Sequence, residues 1–573
     1  MSDKQTAMRI FKEMATLLEL QGANPFKSKA YVKAARELQQ HEGQPAEWIA
    51  SGAIKQMRGF GKSLQEKLLE LVETGKVADH EELKSSFPDG LLKILTIPGL
   101  GSKKVRVLYN ELGIESVEQL EEACNEDKLL ALDGFGKKSQ EKILQGIQQI
   151  RRYQGRHRLN QALPFAQQLL ADLEALPDVL QLDLGGSLRR WKETVKDIDF
   201  VVATENSAAV MESFVNHPLA EHVIAHGSTK SSIMLNNGIN VDLRTVTPQQ
   251  YPYALMHFTG SKEHNTEMRR RAKDRDMKLN EYGLFRGDDI VVCESESDIF
   301  KALDLHYIPP ELREDRTEFE WAVEGEHPAL VELSDIKGVF HAHSTYSDGA
   351  ATLREMAEAT MALGYQYLGI TDHSRTAYYA GGLSIDEVLA QHKEIDELNK
   401  EWSDFQLFKG IESDILGDGS LDYPDEILEQ FDFVIASVHS QFKMSQEEMT
   451  ARIIRAIEHP ATTMIGHPTG RLLLNRDAYP IDIYKVVDAA ASNNVIIEIN
   501  ANPYRLDIDW RVLEYAKEKG MFVSVNPDAH STQGLNDIQY GVGIARKGGL
   551  GAEHVFNALD LATVREKLKT LRS

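Results

Sequence analysis

Seven strand-like runs in the C-terminal part of the chain constrain its fold more than any other feature. The runs are short and apolar, and helical stretches separate them between residues 335 and 573. Strands that alternate with helices form parallel sheets, and a long series of such units closes into a barrel. The sequence therefore predicts a distorted (β/α)7 barrel. Its strands are VFHAH, YLGITDH, FQLFKGIE, FDFVIASVH, TTMIGHP, VIIEINAN and FVSVNPDAH.

The ends of these strands carry side chains that bind metal ions. Functional groups of parallel barrels lie at the C-terminal strand ends, and six of the seven runs end in such a residue. A single histidine there is more often a core residue, but six histidines with three carboxylates make that interpretation improbable. Such ligands suit up to three Zn²⁺ or Mn²⁺ ions, which favour phosphodiester hydrolysis. The predicted ligands are His341, His343, Asp348, His373, Glu412, His439, His467, Asp528 and His530.

This part of the chain resembles the polymerase and histidinol phosphatase (PHP) domain. The resemblance rests on HAHSTYSDG, ITDHS, GIESDI, SVHS, IGHP and NPDAH, and it covers about residues 335–573. It implies a metal-dependent phosphoesterase whose nine ligands are the residues above. Asn500, Asn502 and Arg505 lie near the same rim and are candidates for binding phosphate or substrate.

A second group of carboxylates lies in the β-rich middle of the chain. Asp197 and Asp199 in KDIDFVV project from one face of a strand, and Asp242 in INVDLR supplies a third carboxylate on a neighbouring strand. Three carboxylates suit Mg²⁺, and two ions about 3.5 to 4 Å apart activate a 3′-hydroxyl and stabilise a leaving pyrophosphate. A DxD pair alone is often a solvated strand end. Here, however, Gly186 and Ser187 of GGSLRR precede it and allow a phosphate to approach.

GGSLRR, KDIDF and VDLR resemble the nucleotidyltransferase palm of the family X DNA polymerases, the group of DNA polymerase beta. HFTGSKEHNTEMR resembles the nucleotide-binding segment of that family, and LNEYGL resembles its thumb. The resemblance covers essentially the first 320 residues and implies two Mg²⁺ ions, dNTPs and gapped or primed DNA. The nucleotide would be bound by Gly186, Ser187, Arg190, Phe258, Gly260 and Asn265, and DNA by Lys230 and Arg269.

Three positions depart from that family pattern. Asn240 stands where the animal enzymes carry an arginine that orients the third aspartate. His257 occupies a position that is often tyrosine, and Lys262 one where an acidic residue is familiar. These departures concern efficiency and nucleotide selectivity rather than the class of reaction.

The first 150 residues predict helices separated by a repeated glycine motif, which reads RGFGKS, PGLGSK and DGFGKK. Each GxG precedes a helical pattern, so the backbone N–H groups of the helix N-terminus are free to hold a phosphate. This is the physics of the helix-hairpin-helix, which binds the DNA backbone without reading its sequence. One such loop would more often be an ordinary turn, but three copies favour DNA binding. The glycines concerned are Gly59, Gly61, Gly99, Gly101, Gly134 and Gly136.

NPFKSKAYVKAA and GFGKSLQEKL resemble the small lyase domain of the same polymerase family. The resemblance aligns Lys67 with the Schiff-base lysine of that domain, and Lys27 and Tyr31 with its 5′-phosphate-binding positions. A lysine attacks an abasic sugar only when it is neutral. Because Lys67 recurs as Lys142 in the third hairpin, repeat architecture alone is an alternative explanation.

Charge and composition limit the classes of protein to which the chain can belong. The net charge is −24, but residues 1–160 hold 25 Lys and Arg against 22 Asp and Glu, so the N-terminal part can meet a polyanion. Cys124 and Cys293 alone cannot form a disulfide framework or a thiolate metal site. Neither a bilayer-spanning apolar run nor a secretion signal is present, which predicts a cytoplasmic protein.

The sequence thus predicts a multidomain α and α/β chain that fills short gaps in DNA repair as a DNA-directed DNA polymerase. Its PHP domain would add metal-dependent 3′-5′ exonuclease activity, with abasic-site nuclease activity as a further candidate. A small-molecule phosphoesterase with a DNA-binding front half and a non-templated nucleotidyltransferase are the alternatives. We expect a monomer. The predicted domains are lyase-like 1–85, fingers-type 86–155, palm 156–245, thumb 246–316, an acidic linker 317–334 and PHP 335–573.

Overall fold

The computed structural model describes residues 4–40, 43–55, 57, 60–97, 99–325 and 329–571. The chain divides into two units, residues 1–154 and residues 155–573. Within the described ranges, the helices lack the combination of length and apolar character that crossing a bilayer requires.

The first unit is helical and holds two apolar clusters. Phe11 and Leu68 lie in the first cluster, and Leu108 and Ile143 lie in the second. Leu17 of the first helix belongs to the second cluster, so this helix contributes to both. The helices are α1 (Lys4–Gln21), α2 (Pro25–Gln40), α3 (Pro45–Ser51), α4 (Lys62–Thr74), α5 (Ala78–Ser85), α6 (Asp89–Leu95), α7 (Ser102–Leu112), α8 (Val117–Asn125) and α9 (Lys137–Tyr153).

The second unit begins with a five-stranded sheet, which we call the palm sheet, in the order β2-β4-β7-β6-β5. Strands β4 and β7 run parallel at its centre, and alternate residues of β4, such as Ile198 and Phe200, are buried against helix α10 and its neighbours. The opposite face of β4 is left for its aspartates. The elements are β1 (His157–Arg158), α10 (Leu159–Glu174), β2 (Gln181–Leu184), α11 (Gly186–Arg189), β3 (Thr194–Val195), β4 (Asp197–Ala203), α12 (Ser207–Val215), β5 (Ala220–His226), β6 (Lys230–Leu235) and β7 (Asn240–Val246).

A smaller subdomain follows and packs around Tyr253, Met268 and Phe300. Its three strands form an antiparallel sheet in the order β10-β9-β8. The elements are α13 (Tyr251–Thr259), α14 (Lys262–Lys273), β8 (Lys278–Asn280), β9 (Gly283–Arg286), β10 (Asp289–Ile290), α15 (Glu296–Ala302) and α16 (Glu318–Glu324).

Helix α16 lies in the segment that the sequence predicts to be an acidic linker. Phe319 and Ala322 are buried in the cluster around Tyr253, and Glu318 is 2% exposed. The Glu318 carboxylate accepts backbone N–H groups of Asp315 and Arg316 at 2.7 and 2.6 Å. The first half of this segment is therefore folded into the subdomain, because its acidic residues find local donors. Residues 326–328 of the same segment lie outside the described residues.

The C-terminal part is a seven-stranded parallel sheet whose strands are neighbours in chain order, and all seven predicted strands are present. Ala342 and Ala529 form a parallel bridge just beyond the first and last strands, which closes the sheet into a barrel and confirms the predicted fold. The elements are β11 (Gly338–Val339), α17 (Leu353–Ala362), β12 (Tyr367–Ile370), α18 (Ile385–Leu398), β13 (Gln406–Asp414), α19 (Asp425–Leu428), β14 (Phe433–Ser437), α20 (Gln446–Ile457), β15 (Met464–Ile465), α21 (Ile483–Ser492), β16 (Ile496–Asn500), α22 (Trp510–Glu518), β17 (Val523–Asn526), α23 (Ile538–Lys547) and α24 (Leu561–Leu571).

Candidate metal centres

The nine predicted ligands of the barrel converge at the C-terminal ends of its strands, and we call this group the barrel centre. Eight of them form three clusters in which the ligand atoms lie within 4.8 Å of one another. His343 belongs to two clusters and His373 to two, so the clusters are joined. The clusters are His343, Asp348, His373 and His530; His341, His343 and Asp528; and His373, Glu412 and His439.

Glu412 lies at the middle of the barrel centre and also contacts the ninth ligand. Its Oε1 lies 2.9 Å from Nε2 of His467 and 3.2 Å from Nε2 of His439. Its Oε2 lies 2.9 Å from Nδ1 of His373. The side chain of Glu412 is 1% exposed, so its charge is compensated by imidazoles rather than by water.

The electrostatics of the barrel centre fit a group of cations. Burial alone would raise the pKa of Glu412, but His439, His373 and His341 outweigh burial and hold it well below its usual range. Burial, together with neighbouring imidazoles, lowers the pKa of His343 to about 3, so this ring is neutral and able to donate a lone pair. Several buried ligand atoms have no hydrogen-bond partner among the described residues, as expected for atoms that face a metal. They are His341 Nε2, His343 Nδ1 and His467 Nδ1.

Two further carboxylates orient the imidazoles from behind. Oε1 of Glu498 lies 2.6 Å from Nδ1 of His341, and Oδ1 of Asp414 lies 2.6 Å from Nδ1 of His439. A carboxylate on the far nitrogen fixes the tautomer and the direction of a metal-binding imidazole. Neither residue was predicted from the sequence. Their signal is an acidic residue inside a buried strand, as in VIIEIN and FKGIESD.

Of the three rim candidates, Arg505 is the one whose charge faces the barrel centre. Its Nε lies 3.5 Å from Oδ2 of Asp528, and its side chain is 19% exposed. Asn500 is fully buried and donates Nδ2 to Glu498 and Asp528 at 3.1 Å each, so it supports ligands instead of facing solvent. Oδ1 of Asn502 accepts the backbone N–H two residues later in its own loop.

The three aspartates of the palm sheet, which we call the palm centre, lie on neighbouring strands. Asp199 and Asp242 are directly opposite in the register of β4 and β7, and Asp197 is two residues before Asp199 on the same face. Burial, followed by the charges of Asp197 and Asp242, raises the pKa of Asp199 to about 7. Such crowding of carboxylates is relieved when cations bind.

Asp242 is held by two side chains of strand β6. Ser232 Oγ donates to its Oδ1 at 2.5 Å, and Nζ of Lys230 lies 2.6 Å from its Oδ2. Lys230, a predicted DNA-binding residue, therefore lies against the palm centre. Arg244, which the sequence analysis missed, lies two residues beyond Asp242 and stacks on the Phe258 ring at 4.2 Å.

The GGSLRR loop passes directly beside the palm centre. Gly186 has φ of +59°, and a Cβ there would overlap the Asp199 carboxylate, so this position requires glycine. Ser187 is half-buried in the same turn. Arg189 is held in a bidentate ion pair with Glu296, with N–O distances of 3.1 and 2.8 Å. The charge of Arg189 is thereby neutralised by Glu296. Its neighbour Arg190 is the other cation of this loop that could bind a phosphate.

The predicted nucleotide-binding segment lies next to Arg190. NH1 of Arg190 donates to the carbonyl O of Thr259 at 2.5 Å, and a Cβ on Gly260 would lie 2.9 Å from NH1. Asn265 is 8% exposed; its Nδ2 donates to the carbonyl O of His257 at 2.7 Å. Oδ1 of Asn265 is buried and has no hydrogen-bond partner in the described part of the chain. Arg269 is exposed on the same helix.

The lyase-like residues of the first unit do not form one exposed group. Lys67 is 13% exposed and ion-paired with Asp79, and Lys27 is exposed. Tyr31 is 4% exposed and meets Phe11 edge-to-face at 5.7 Å, and burial raises its pKa to about 12. Tyr31 is thus a core residue here rather than a surface contact for phosphate.

The hairpin glycines have open surroundings. Gly61, Gly101 and Gly136 are the N-caps of α4, α7 and α9, while Gly99 and Gly134 have φ of +88° and +80°. A Cβ on any of these five would meet no described atom within 4 Å. At the three N-caps φ is negative, so neither packing nor backbone explains glycine, and the space is left for an outside group. Gly59 lies outside the described residues.

Family models match four parts of the chain. They are a helix-hairpin-helix domain at residues 2–77, a SAM-like helix-hairpin-helix tandem at 91–149, the DNA polymerase beta thumb at 254–314 and the PHP domain at 340–502.

Similar curated proteins fall into two groups. A Bacillus subtilis (strain 168) protein named DNA polymerase/3′-5′ exonuclease PolX is 41% identical over 570 residues, which is 99% of each chain. A protein named probable phosphatase from Thermoanaerobacter sp. (strain X514) is 30% identical over 246 residues, 40% of this chain and 93% of the relative. Another protein so named, from Acetivibrio thermocellus, is 31% identical over 206 residues, 33% of this chain and 78% of the relative.

Proposed function

The chain belongs to the family X DNA polymerases that carry a C-terminal PHP domain, and on this premise we propose which residues perform its two reactions. The protein is a DNA-directed DNA polymerase with 3′-5′ exonuclease activity, it acts on DNA, and its reactions depend on metal ions. The residue roles, the identity of the ions and the preferred DNA are the proposal.

Synthesis takes place at the palm centre. Asp197, Asp199 and Asp242 would hold two Mg²⁺ ions, which supply a Lewis acid for the primer 3′-hydroxyl and for the leaving pyrophosphate. The Gly186 turn lets a triphosphate approach the aspartates, and the Arg190 guanidinium provides a matching cation.

The segment after the palm sheet holds the rest of the incoming nucleotide. Gly260 and Phe258 would line the sugar pocket, and Asn265, whose Oδ1 has no partner among the described residues, would meet the edge of the base. Arg269 is exposed where a template strand would pass. Lys230 orients Asp242, a role that differs from the direct DNA contact predicted from sequence.

Hydrolysis takes place at the barrel centre. Its nine ligands would hold up to three Mn²⁺ or Zn²⁺ ions, which activate water and bind the scissile phosphate. Glu498 and Asp414 keep His341 and His439 in the required tautomer. Arg505 is placed to bind the phosphate of the departing nucleotide.

Substrate choice follows from the first unit. The open glycine N-caps would bind the DNA backbone on both sides of a gap, which favours gapped or primed DNA in repair. Lys67 chemistry on abasic sugars remains a proposal that would require release from Asp79. We further propose that the protein is a monomer in the cytoplasm. Its six domains are those predicted from the sequence, except that helix α16 packs with the thumb.

One observation carries the assignment of two sites: the chain holds two ligand sets of different chemistry, a carboxylate group on β4 and β7 and a histidine-rich group at the barrel strand ends. The test measures extension and degradation of a labelled primer on gapped DNA by the wild-type protein and by the Asp197→Ala and His341→Ala variants. We expect Asp197→Ala to lose extension alone and His341→Ala degradation alone. Loss of both activities in either folded variant would contradict two independent sites.

A second candidate function concerns the barrel alone. The two relatives named probable phosphatase match 40% and 33% of this chain over 93% and 78% of their own length, about the size of the barrel, which favours activity on small phosphoesters as well. The wild-type protein should then release phosphate from p-nitrophenyl phosphate, and His341→Ala should not. If no divalent metal ion supports phosphate release, the substrates of the barrel centre are restricted to nucleic acids.

A further inference from the structure

The barrel contacts the nucleotide-binding loop of the palm through helix α23. Trp191, the residue after Arg190, donates its indole N–H to the carbonyl O of Tyr540 at 3.2 Å. A Cβ on Gly543 would overlap this indole, so the glycine in α23 provides the space that it occupies. Trp191 has φ of +56°, a conformation that a bulky residue keeps only where its surroundings compensate the strain. The barrel therefore fixes the backbone immediately after Arg190.

Lys547, at the end of α23, holds Arg190 itself. Its side chain is 0% exposed, and its ammonium donates to the carbonyl O of Arg190 at 2.8 Å. The same ammonium donates to Oε1 of Glu314 at 2.8 Å and to the carbonyl O of Glu311 at 3.1 Å. Oε1 of Glu314 also accepts from Nε of Arg190 at 3.1 Å. One barrel side chain thus binds both the backbone of Arg190 and the carboxylate that orients its guanidinium.

The charges of this cluster favour an anion. Glu314 is shared by Lys547, Arg190 and Lys192, the last at 2.9 Å from its Oε2. Burial alone would raise the pKa of Glu314, but the three cations outweigh burial and lower it to about 2. Because three cations share the Glu314 carboxylate, positive charge exceeds negative charge among these four side chains, which suits an anion such as a triphosphate.

We propose that Lys547 of the barrel is a positioning residue of the polymerase reaction, which sets the place of Arg190 for the triphosphate of the incoming nucleotide. This rests on the proposed role of Arg190. Without the ammonium, Glu314 is free to pair fully with Arg190, and the Arg190 carbonyl loses its donor. The guanidinium is then held away from the phosphates, so substrate binding weakens more than the chemical step slows.

The test uses full-length protein, gapped DNA and single-nucleotide incorporation over a range of concentrations of the complementary dNTP. Lys547→Met is compared with Arg190→Ala and with Arg546→Met as the matched control. Arg546 is the preceding residue of the same helix and pairs with Glu311 at 2.7 Å, so it lies in the same interface with the same charge. Exonuclease rate and melting temperature are measured for each variant.

We expect Lys547→Met and Arg190→Ala each to raise KM for the dNTP about tenfold while kcat falls less than about threefold, the pattern of lost substrate binding. Arg546→Met should stay within about twofold of the wild type, and the exonuclease rate of Lys547→Met should be unchanged. An equal rise of KM in Arg546→Met would mean that the interface acts only through stability, which would overturn the positioning role.

The remaining outcomes separate this inference from the function on which it rests. A raised KM in Arg190→Ala with a wild-type KM in Lys547→Met rejects the positioning role alone. A wild-type KM in Arg190→Ala rejects the triphosphate role of Arg190, and this inference with it. If Lys547→Met fails to fold, Lys547→Gln replaces it, since it removes the charge shared with Glu314 but keeps a polar N–H donor at the buried position: a raised KM supports the proposal and a wild-type KM overturns it.

Discussion

The palm centre and the barrel centre differ in how much of their geometry the protein fixes by itself. In the barrel, candidate ligand atoms from five strand ends form three joined clusters, within each of which the atoms lie within 4.8 Å of one another, and most of the side chains are buried. In the palm sheet, three half-buried aspartates share one face, and one of them, Asp242, forms an ion pair with Lys230. The barrel centre groups eight candidate ligands, whereas the palm centre groups three, which under the proposed function would leave coordination positions for its substrate.

The difference follows from the two folds. A closed parallel barrel directs all its strand ends to one rim, so each βα unit adds a ligand to the same place. An open sheet brings together only the strands that are neighbours, here β4 and β7. Mg²⁺ retains water and takes substrate phosphates as ligands, so a three-carboxylate site suits an ion that arrives with a nucleotide.

The largest expected effect concerns Glu412. Glu412→Gln removes the charge that balances His439, His373 and His341, so the shared ligand of the barrel centre is lost. We expect exonuclease activity to fall about 1000-fold or more, with polymerase activity within about twofold of the wild type. Both rates are measured on one labelled gapped substrate. More than a tenth of the exonuclease activity remaining would contradict a central role for Glu412.

A weaker effect is expected at Glu498, which contacts the candidate ligand His341 from behind. Glu498→Gln keeps the shape of the side chain but weakens the bond that orients His341. Metal affinity of the barrel should fall about 10- to 100-fold, and excess Mn²⁺ should restore exonuclease activity. Titration with Mn²⁺ measures this, and polymerase activity of the same preparation is the internal control. A loss that excess metal fails to restore would assign Glu498 a different role.

The two centres should also differ in their dependence on pH. Burial opposes protonation of His439 and His530, but nearby carboxylates outweigh burial and raise both pKa values to about 9. Protons must leave these rings before a metal binds. The metal affinity of the barrel should therefore rise with pH up to about pH 9, by about tenfold per pH unit for each proton released. The pKa of Asp199 is raised to about 7, so metal affinity of the palm should level off above that pH.

Calorimetric Mn²⁺ and Mg²⁺ titrations from pH 6 to pH 10 check this contrast, with His341→Ala to isolate the palm centre and Asp197→Ala to isolate the barrel centre. Binding to the barrel should release protons at pH 7.5, seen as a dependence of the heat on the buffer. Equal pH profiles for the two centres would contradict the difference in ligand chemistry.

The smallest effect is one that both centres share. Gly136→Asp adds a charge at a hairpin N-cap, and Asp is itself a good N-cap, so stability should be kept. DNA affinity should fall about fivefold through repulsion of the phosphate, and both activities should fall by the same factor at limiting DNA. Ser116→Asp adds the same charge at the N-cap of α8, outside the hairpins, and should change neither. Unequal losses would place this hairpin at one centre only.

Much of the molecule could be read from local patterns. The alternation of strands and helices predicted the barrel, and the residues at its strand ends predicted nine ligands, eight of which the structure brings together in three clusters. The two-residue spacing of Asp197 and Asp199 was enough to put them on one face. These features depend on the period of a strand or helix, which each short segment carries by itself.

The tertiary structure alone decided which distant groups meet. The bridge between Ala342 and Ala529 closes the barrel and brings His343 within 3.2 Å of Asp528, 185 residues away. The support of His341 by Glu498 spans 157 residues. The contact of Lys547 with Arg190 spans 357, and the burial of Tyr31 likewise depends on helix packing. Local sequence carries no record of such contacts, because their distances are set by the packing of whole elements against one another.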